Sequence, residues 1–179
     1  MLVLITGLPG TGKSTVANHL ARRINARILR TDEVRKRLFA KPKYTEEEKE
    51  IVYKGLFLIA ENLLRVKSNV VLDGTFYKRS LRKQIYRTAT STRSKLIIVE
   101  CMASEEAIER RLRRRKKRKR GGLSDADEEV YHKIKKEYES IESEHIVLDT
   151  SRPLNETLNE LYSSISLSMW SSTKLGRGF

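Results

Sequence analysis

Residues 7–14 have the sequence GLPGTGKS, and this glycine-rich stretch is the most informative part of the chain. An apolar run from Leu2 to Thr6 precedes it, and apolar residues at helical spacing follow it from Val16 to Ile24. The pattern GxxxxGKS between a buried strand and an amphipathic helix predicts a loop that binds phosphate groups. Inward-pointing backbone N–H groups and the positive end of the following helix would attract the phosphates.

The residues of this loop predict a site for ATP and Mg²⁺. Lys13 is expected to reach the β- and γ-phosphates, and Ser14 to place its hydroxyl on a Mg²⁺ ion that bridges them. Thr15 is expected to contact the α-phosphate from one residue further along the helix. The structural alternative is a glycine turn without a ligand. The predicted nucleotide-binding residues of the loop are Gly7, Pro9, Gly10, Thr11, Gly12, Lys13, Ser14 and Thr15.

Apolar segments alternate with helical patterns along the chain and predict an α/β fold. Strands are expected at residues 2–6, 27–30, 69–73, 95–100 and 145–149. This alternation predicts a five-stranded parallel sheet with helices on both faces, and ligands then bind beyond the carboxyl ends of the strands. Because no linker or repeat interrupts the pattern, we expect a single domain over residues 1–170 and a flexible tail over residues 171–179.

The composition limits the class of protein. The chain of 179 residues has a formal net charge of +14, and ten of its basic residues lie in the segment 110–120. Cys101 is the single cysteine, and His19, His132 and His145 share no metal-ligand spacing with it or with one another. An internal disulfide is therefore impossible, and the pattern argues against a zinc site. Nothing in the sequence approaches the roughly 18 apolar residues of a membrane span, so we expect a cytoplasmic protein without membrane contact.

Asp73 ends the predicted third strand in the sequence NVVLDG. From this position a carboxylate can hold a magnesium-bound water beside Ser14, which makes Asp73 a candidate metal residue. The alternative is an aspartate that only caps a turn. Gly74 and Thr75 follow, so the chain lacks the glutamate that motor-type ATPases usually place there to activate water. This difference favours transfer to an alcohol over hydrolysis.

Thr31 and Asp32 follow the predicted second strand and are expected to cap the next helix. Asp32 and Arg35 are three positions apart and therefore lie on one helical face. A carboxylate there can accept the proton of an acceptor hydroxyl, and the guanidinium can hold an anionic group of the same acceptor. The alternative is a capping aspartate beside a surface arginine. Further along, Thr45 and Glu48 have the spacing of a capping box that opens a long helix.

Several stretches resemble a known family, the small P-loop kinases related to polynucleotide kinase, adenylylsulfate kinase, zeta toxins and chloramphenicol phosphotransferase. The likeness is strongest to uncharacterised predicted kinases, and it extends to about Leu167. The stretches that carry it are GLPGTGKSTVA, TDEVRKRL, NVVLDGTF with Arg79 and Arg82 after it, the basic helix, and SDADEEVY. The resemblance implies a nucleoside-kinase-like P-loop NTPase fold, a three-layer sandwich with a helical lid at about residues 105–139.

The resemblance also implies roles for particular residues. In polynucleotide and adenylylsulfate kinases an Asp-x-x-Arg stands where Asp32 and Arg35 stand here, with the aspartate as base and the arginine on the substrate phosphate. Such kinases use lid arginines on the ATP phosphates, and Arg111 and Arg115 have the required spacing of four. They hold adenine against the loop after the last strand, which would involve Arg152. The implied catalytic residues are thus Lys13, Asp32, Arg35, Arg111 and Arg115.

The basic segment 110–120 allows three interpretations: a lid that neutralises ATP, a surface for RNA or DNA, or a solvated helix. Ten cations exceed what a triphosphate needs, which favours a polyanionic partner, and its binding would weaken steeply with salt. Against this, no aromatic residue lies within the segment to stack on unpaired bases. Residues 124 and 127, Ser and Asp, are expected to cap the helix that returns from it.

Three functions follow from these patterns. The first is an ATP- and Mg²⁺-dependent kinase for a nucleotide or nucleic-acid 5′-hydroxyl, because Arg35 suits an acceptor that carries its own phosphate. The second is a kinase for a small molecule such as adenylylsulfate, a sugar acid or an antibiotic. The third is an ATP-gated nucleic-acid-binding module without transfer activity, for which the substitution Asp32→Asn would have no effect.

Overall fold

The computed structural model describes residues 1–117 and 128–174, in which strands and helices alternate as the sequence predicts. The strands are β1 (Leu2–Thr6), β2 (Ala26–Arg30), β3 (Asn69–Asp73), β4 (Leu96–Met102) and β5 (Ile146–Asp149). The helices are α1 (Lys13–Arg23), α2 (Thr31–Leu38), α3 (Glu46–Arg65), α4 (Arg79–Ser91), α5 (Glu105–Lys117), α6 (Glu128–Glu137) and α7 (Leu154–Lys174). The predicted α/β fold with a five-stranded parallel sheet is confirmed.

The order of strands in the sheet is β2-β3-β1-β4-β5, and every neighbouring pair is parallel. Parallel strands place their carboxyl ends at one edge, and the register brings Arg30 level with Asp73, and Asp73 level with Ile5. The glycine-rich loop that follows β1 therefore lies in the middle of this edge. The ends of β3 and β2 lie on one side of the loop, and the ends of β4 and β5 on the other.

Two apolar clusters, one on each face of the sheet, form the core. Successive residues of a strand point to opposite faces, so Leu2 and Leu4 of β1 pack with α3 and α4, whereas Val3 and Ile5 pack with α1 and α7. All four side chains are fully buried. Since both faces are covered, the central strands are continuous apolar runs, as expected for a parallel sheet.

Some boundaries differ from the sequence expectations. Helix α2 begins at Thr31 with Arg30 as its N-cap residue, so Thr31 and Asp32 lie in the first turn and do not cap the helix, which corrects that prediction. Helix α7 continues to Lys174, past the predicted domain boundary at residue 170. The predicted caps at residues 124 and 127 and the last three residues of the basic segment lie outside the described residues, as do residues 175–179.

Helix α3 begins with half of the predicted capping box. The Thr45 side chain accepts a hydrogen bond from the Glu48 backbone N–H at 3.2 Å, as the pattern predicts. The Glu48 carboxylate, however, accepts hydrogen bonds from the backbone N–H groups of Lys43 and Tyr44 at 2.8 and 2.7 Å. It thereby fixes the connection between α2 and α3. Among the described helices, none is long and apolar enough to cross a membrane.

Candidate active site

The glycine-rich loop between β1 and α1 has a backbone conformation that glycine favours. Gly7, Gly10 and Gly12 have φ values of +136°, +84° and +82°, which other residues rarely adopt. A Cβ atom on Gly10 would lie 2.9 Å from the Ile108 side chain, and one on Gly7 would lie 2.3 Å from the Cys101 carbonyl oxygen. Glycine is therefore required at positions 7 and 10 both by conformation and by close packing against β4 and α5.

Lys13 lies at the first position of α1, with its ammonium group inside the loop. Its Nζ donates a hydrogen bond to the Leu8 carbonyl oxygen at 2.8 Å. Burial lowers the pKa of Lys13, and the nearby carboxylates of Asp73 and Asp32 partly offset this decrease. A desolvated ammonium group is well placed to bind an anion, because a phosphate oxygen would restore the lost solvation.

A cavity of about 470 Å³ opens beside this loop at the carboxyl edge of the sheet. It is lined by ten of the residues that the sequence predicts for the site, namely Pro9, Gly10, Gly12, Lys13, Ser14, Thr15, Asp32, Arg35, Asp73 and Arg115. These residues come from four separate segments of the chain. The structure thus brings the predicted phosphate-binding, metal and acceptor residues together.

Three predicted residues, Gly7, Thr11 and Arg111, are not among the residues that line the cavity. Gly7 and Thr11 belong to the glycine-rich loop, and Arg111 of α5 supports it. The Arg111 guanidinium donates to the Gly10 carbonyl oxygen at 3.2 Å and to the Thr150 carbonyl oxygen at 2.6 Å. The Thr150 hydroxyl in turn donates to the Thr11 carbonyl oxygen at 2.8 Å. These bonds tie α5 and the end of β5 to the glycine-rich loop, so Arg111 has a clear structural role here.

Arg152 is also outside the cavity lining. Its exposed side chain forms an ion pair with Glu160 of α7. The structure therefore does not bring Arg152 together with the other predicted nucleotide-binding residues. Its expected place beside adenine stays a prediction.

Asp73 is 4% exposed and has a partner that the sequence analysis did not identify. The Arg30 Nε donates to Asp73 Oδ2 at 3.2 Å, and Arg30 also pairs with Glu33 at 2.7 Å. Both Arg30 and Asp73 line the cavity. Arg30 directly precedes the predicted TDEVRKRL stretch, but its contact with a residue 43 positions away depends on the strand order and has no local signal.

The Arg35 side chain of α2 is 6% exposed and packs against the connection between α2 and α3. Its Nη1 is 3.4 Å from Glu48 Oε2, and its guanidinium carbon is 4.9 Å from the centroid of the Tyr44 ring. The Arg35 Nε is buried, and in the part of the chain that the structure describes it has no hydrogen-bond partner. Burial alone would raise the pKa of Glu48, but the N–H groups of Lys43 and Tyr44 and the charge of Arg35 hold it below its usual value.

The cavity has further lining residues beyond the ten named above, and those from α3 and after β3 fall in segments where the sequence predicts acceptor-site or core residues. Lys49 and Tyr53 of α3 and Tyr77 after β3 form one wall, and α6 contributes Val130, Lys133, Ile134 and Glu137 to another. Burial raises the pKa of Tyr53, so its hydroxyl stays protonated and can donate a hydrogen bond. Helical spacing placed the α3 residues on one face, but only the tertiary structure shows which face borders the cavity.

The donor set fits a hard divalent cation. The Ser14 hydroxyl and the Asp73 carboxylate line the same cavity as the glycine-rich loop, and oxygen ligands of this kind, completed by water and phosphate oxygens, suit Mg²⁺. In the described part of the chain, no group of three or more His, Cys, Asp or Glu side chains could hold a metal by itself. The site therefore suits a cation that arrives with a nucleotide.

Curated proteins of related sequence match this chain over most of its length. An uncharacterised protein of Mycobacterium tuberculosis is 29% identical over 173 residues, which covers 90% of this chain and 34% of that protein. The chain thus spans about a third of the length of the curated relatives that it matches.

Solved structures share the fold. A crystal structure of a putative kinase from Chloroflexus aurantiacus superposes with a TM-score of 0.75 at 16% identity, covering 95% of this chain and 96% of that one. The adenylylsulfate (APS) kinase of Mycobacterium tuberculosis, in complex with AMPPNP and APS, gives a TM-score of 0.67 at 20% identity, covering 92% and 96%. The chain therefore has a kinase-like P-loop fold. Residues 2–141 match the AAA_33 family, described as an AAA domain, and the chain belongs to that family.

Proposed function

We propose that the chain is an ATP-dependent kinase that transfers the γ-phosphoryl group to a hydroxyl of a small, anionic acceptor. One observation carries this proposal: a single cavity contains residues for both halves of such a reaction. Lys13, Ser14 and Asp73 line its phosphate-binding part, and Asp32 and Arg35 line the remainder. The kinase-like fold supports the same conclusion.

The proposed chemistry is direct transfer between two bound substrates. Asp32 accepts the proton of the acceptor hydroxyl and directs its oxygen at the γ-phosphorus; the new O–P bond forms as the bond to the β-phosphate oxygen breaks, and ADP leaves. Lys13 and Arg115 stabilise the charge that develops on the transferred group. Ser14 and Asp73 would hold Mg²⁺, which would neutralise phosphate charge. No phosphorylated enzyme is required.

Arg35 gives the acceptor its proposed anionic character. Its Nε has no hydrogen-bond partner among the described residues, and a buried unsatisfied donor costs about 1–3 kcal/mol. A phosphate, sulfate or carboxylate on the acceptor would satisfy it, because the guanidinium edge can donate two parallel hydrogen bonds to such a group. The Tyr44 ring lies against this guanidinium, with its centroid 4.9 Å from the guanidinium carbon.

The helices that line the acceptor part favour a small acceptor. Helices α2 and α3 form one side, and Val130, Lys133 and Ile134 of α6 form another. A polymer end would have to enter between these helices. A compact molecule with one hydroxyl near Asp32 and one anionic group near Arg35 needs no such opening.

A nucleic-acid 5′-hydroxyl is the second candidate acceptor, and the exposed arginines of α5 favour it. Arg110 and Arg114 are exposed on the same helix as Arg115, which lines the cavity. A strand that lay along α5 could therefore present its end to the cavity. Such a complex would depend strongly on salt, because each neutralised phosphate releases counterions.

The test is transfer of labelled γ-phosphate from ATP to a panel of acceptors. The panel contains adenylylsulfate, nucleoside 3′-phosphates, sugar acids, and 5′-hydroxyl RNA and DNA oligonucleotides at low and high salt. Label on a small anionic acceptor supports the proposal, and salt-sensitive label on oligonucleotide ends supports the second candidate. ATP binding with no label on any acceptor, and none released as phosphate, would favour an ATP-gated binding module.

A further inference from the structure

Arg30 is held on three sides by the protein, although it lines the cavity. Its Nε bonds to Asp73 at 3.2 Å, its Nη1 to Glu33 at 2.7 Å and its Nη2 to Asn18 at 2.5 Å. The Arg30 side chain is 12% exposed. Each of the three guanidinium nitrogens thus donates to a protein group, so one function of Arg30 is to hold those groups in place.

The three partners belong to the three parts of the proposed reaction. Asn18 lies on α1, the helix that Lys13 and Ser14 begin. Asp73 ends β3, and Glu33 lies on α2 next to Asp32. Arg30 therefore links the phosphate-binding helix, the metal carboxylate and the acceptor helix through a single side chain.

From these contacts we propose that Arg30 is a positioning residue that orients Asp73 for a nucleotide-bound divalent cation and sets its distance from the acceptor helix. The inference rests on the proposed function. Arg30 occupies Asp73 Oδ2, which prevents the carboxylate from rotating and directs Oδ1 to other partners. Residues that orient metal-binding groups in this way typically contribute 10–100-fold to metal affinity or activity.

Charge also favours this role. Arg30 lies between two carboxylates, Asp73 and Glu33, and the Asp73 side chain is only 4% exposed. Without the guanidinium, the carboxylates would face each other with no shared cation, and repulsion would turn the Asp73 side chain away from its position. Because Glu33 already neutralises the positive charge of Arg30, the guanidinium competes little with a divalent cation for Asp73.

Close packing transmits the position of Asp73 to α2. A Cβ atom on Gly74 would lie 3.0 Å from the Thr31 side chain, so the residue after Asp73 abuts the first residue of the acceptor helix. Arg30 directly precedes Thr31 in the chain. A shift of the guanidinium would therefore move the metal carboxylate and the first turn of α2, which contains Asp32, relative to each other.

The test compares Arg30→Gln and Arg30→Lys with Arg27→Gln, an exposed arginine three positions earlier on β2. Binding of Mn²⁺ to the complex with AMPPNP is measured by electron paramagnetic resonance, so the readout needs no acceptor and no turnover. We expect Mn²⁺ affinity to fall about 10–100-fold in Arg30→Gln and less in Arg30→Lys, with AMPPNP binding in the absence of metal unchanged. Arg27→Gln should match the wild type.

Unchanged Mn²⁺ affinity in either folded Arg30 variant would overturn the inference, as would equal losses of nucleotide binding with and without metal, which indicate a structural role. If Arg30→Gln does not fold, Arg30→Lys keeps the charge and decides the question. If the Arg30 variants lose Mn²⁺ affinity as expected but the wild type labels no acceptor, the proposed function is overturned and the inference stands.

Discussion

The two sides of the glycine-rich loop are built alike but present different groups. On the side of β3 and β2, Asp73 and Arg30 lie at the strand ends and border the cavity. On the side of β4 and β5, the Cys101 thiol is buried, which raises its pKa to about 12, and Thr150 is bonded to the loop. Both sides begin from parallel strands followed by helices. Charged groups therefore collect where the edge is open, and packed groups hold the loop where it is closed.

The packing on the β4 and β5 side explains why α5 is attached so firmly to the glycine-rich loop. Ile108 and Leu112 of α5 pack with Leu8 of the loop and Tyr131 of α6, and Arg111 adds hydrogen bonds to the loop from the same helix. The first part of the predicted lid therefore packs directly against the glycine-rich loop. We expect substitution of the side chains that hold the loop on this side to lower stability, and substitution of the cavity residues on the β3 side to lower turnover.

The largest expected effect concerns the loop itself, which both sides support. The substitution Lys13→Ala removes the buried ammonium group from the phosphate-binding part of the cavity, and we expect turnover to fall about 10³-fold. The measurement is kcat with the acceptor identified by the labelling panel. Lys54→Ala, an exposed lysine of α3 that pairs with Glu50, is the control. Transfer at the wild-type rate in Lys13→Ala would exclude the loop from the reaction.

The next effect separates the two sides directly. Asp32 on the open side and Asp149 on the closed side both lie near strand ends at the same edge of the sheet. Asp32→Asn removes the proposed base and should lower kcat about 10²–10⁴-fold with AMPPNP affinity unchanged. Asp149→Asn should change kcat less than about twofold, because Asp149 is not among the residues that line the cavity and its Oδ1 accepts a hydrogen bond from the Ser151 N–H at 2.8 Å. Equal losses in the two variants would refute the comparison.

Two arginines of one helix provide a finer contrast. Arg111→Met removes three hydrogen bonds to Gly10 and Thr150, and we expect the free energy of unfolding to fall by about 1–2 kcal/mol, since the group is partly exposed. Arg115→Ala should alter stability by less than about 0.5 kcal/mol and lower kcat tenfold or more, since a cation on the transferred group is lost. Chemical denaturation and steady-state kinetics measure the two quantities. The opposite pattern would assign Arg111 to catalysis.

The parts predicted from sequence are those with local causes. The loop GLPGTGKS needs only a strand before it and a helix after it, and both follow from apolar spacing in a few residues. Asp73 and the Asp32–Arg35 pair were found because each follows a strand, and parallel strands bring such residues to one edge. All three residues line one cavity.

The parts not predicted depend on contacts between distant segments. Arg30 and Asp73 are 43 positions apart and meet because β2 and β3 pair in register. The Thr150 hydroxyl reaches the Thr11 carbonyl across 139 positions. Arg111 shared its helical spacing with Arg115, but spacing alone could not show that it bonds to loop carbonyls. Such pairings follow from strand order, which periodicity does not encode.

The smallest expected effect tests whether the open side is rigid before an acceptor binds. Glu48 fixes the Lys43 and Tyr44 backbone and pairs with Arg35, so Glu48→Gln should lower the free energy of unfolding at neutral pH by about 1–2 kcal/mol. Because hydrogen bonds and the charge of Arg35 lower the pKa of Glu48, its contribution is present above its usual value of 4.5 and is lost as the pH falls through the lowered pKa.

The stability difference between wild type and Glu48→Gln should therefore be constant above about pH 5 and shrink in more acidic solution. Urea denaturation at a series of pH values measures it, with Glu50→Gln as the control on the exposed face of the same helix. If the difference in stability stayed constant down to about pH 2.5, the charge of Glu48 would not be what holds the connection between α2 and α3. If Glu48→Gln also raises KM for the acceptor with kcat unchanged, Arg35 is positioned before binding, and the open side is as well ordered as the closed one.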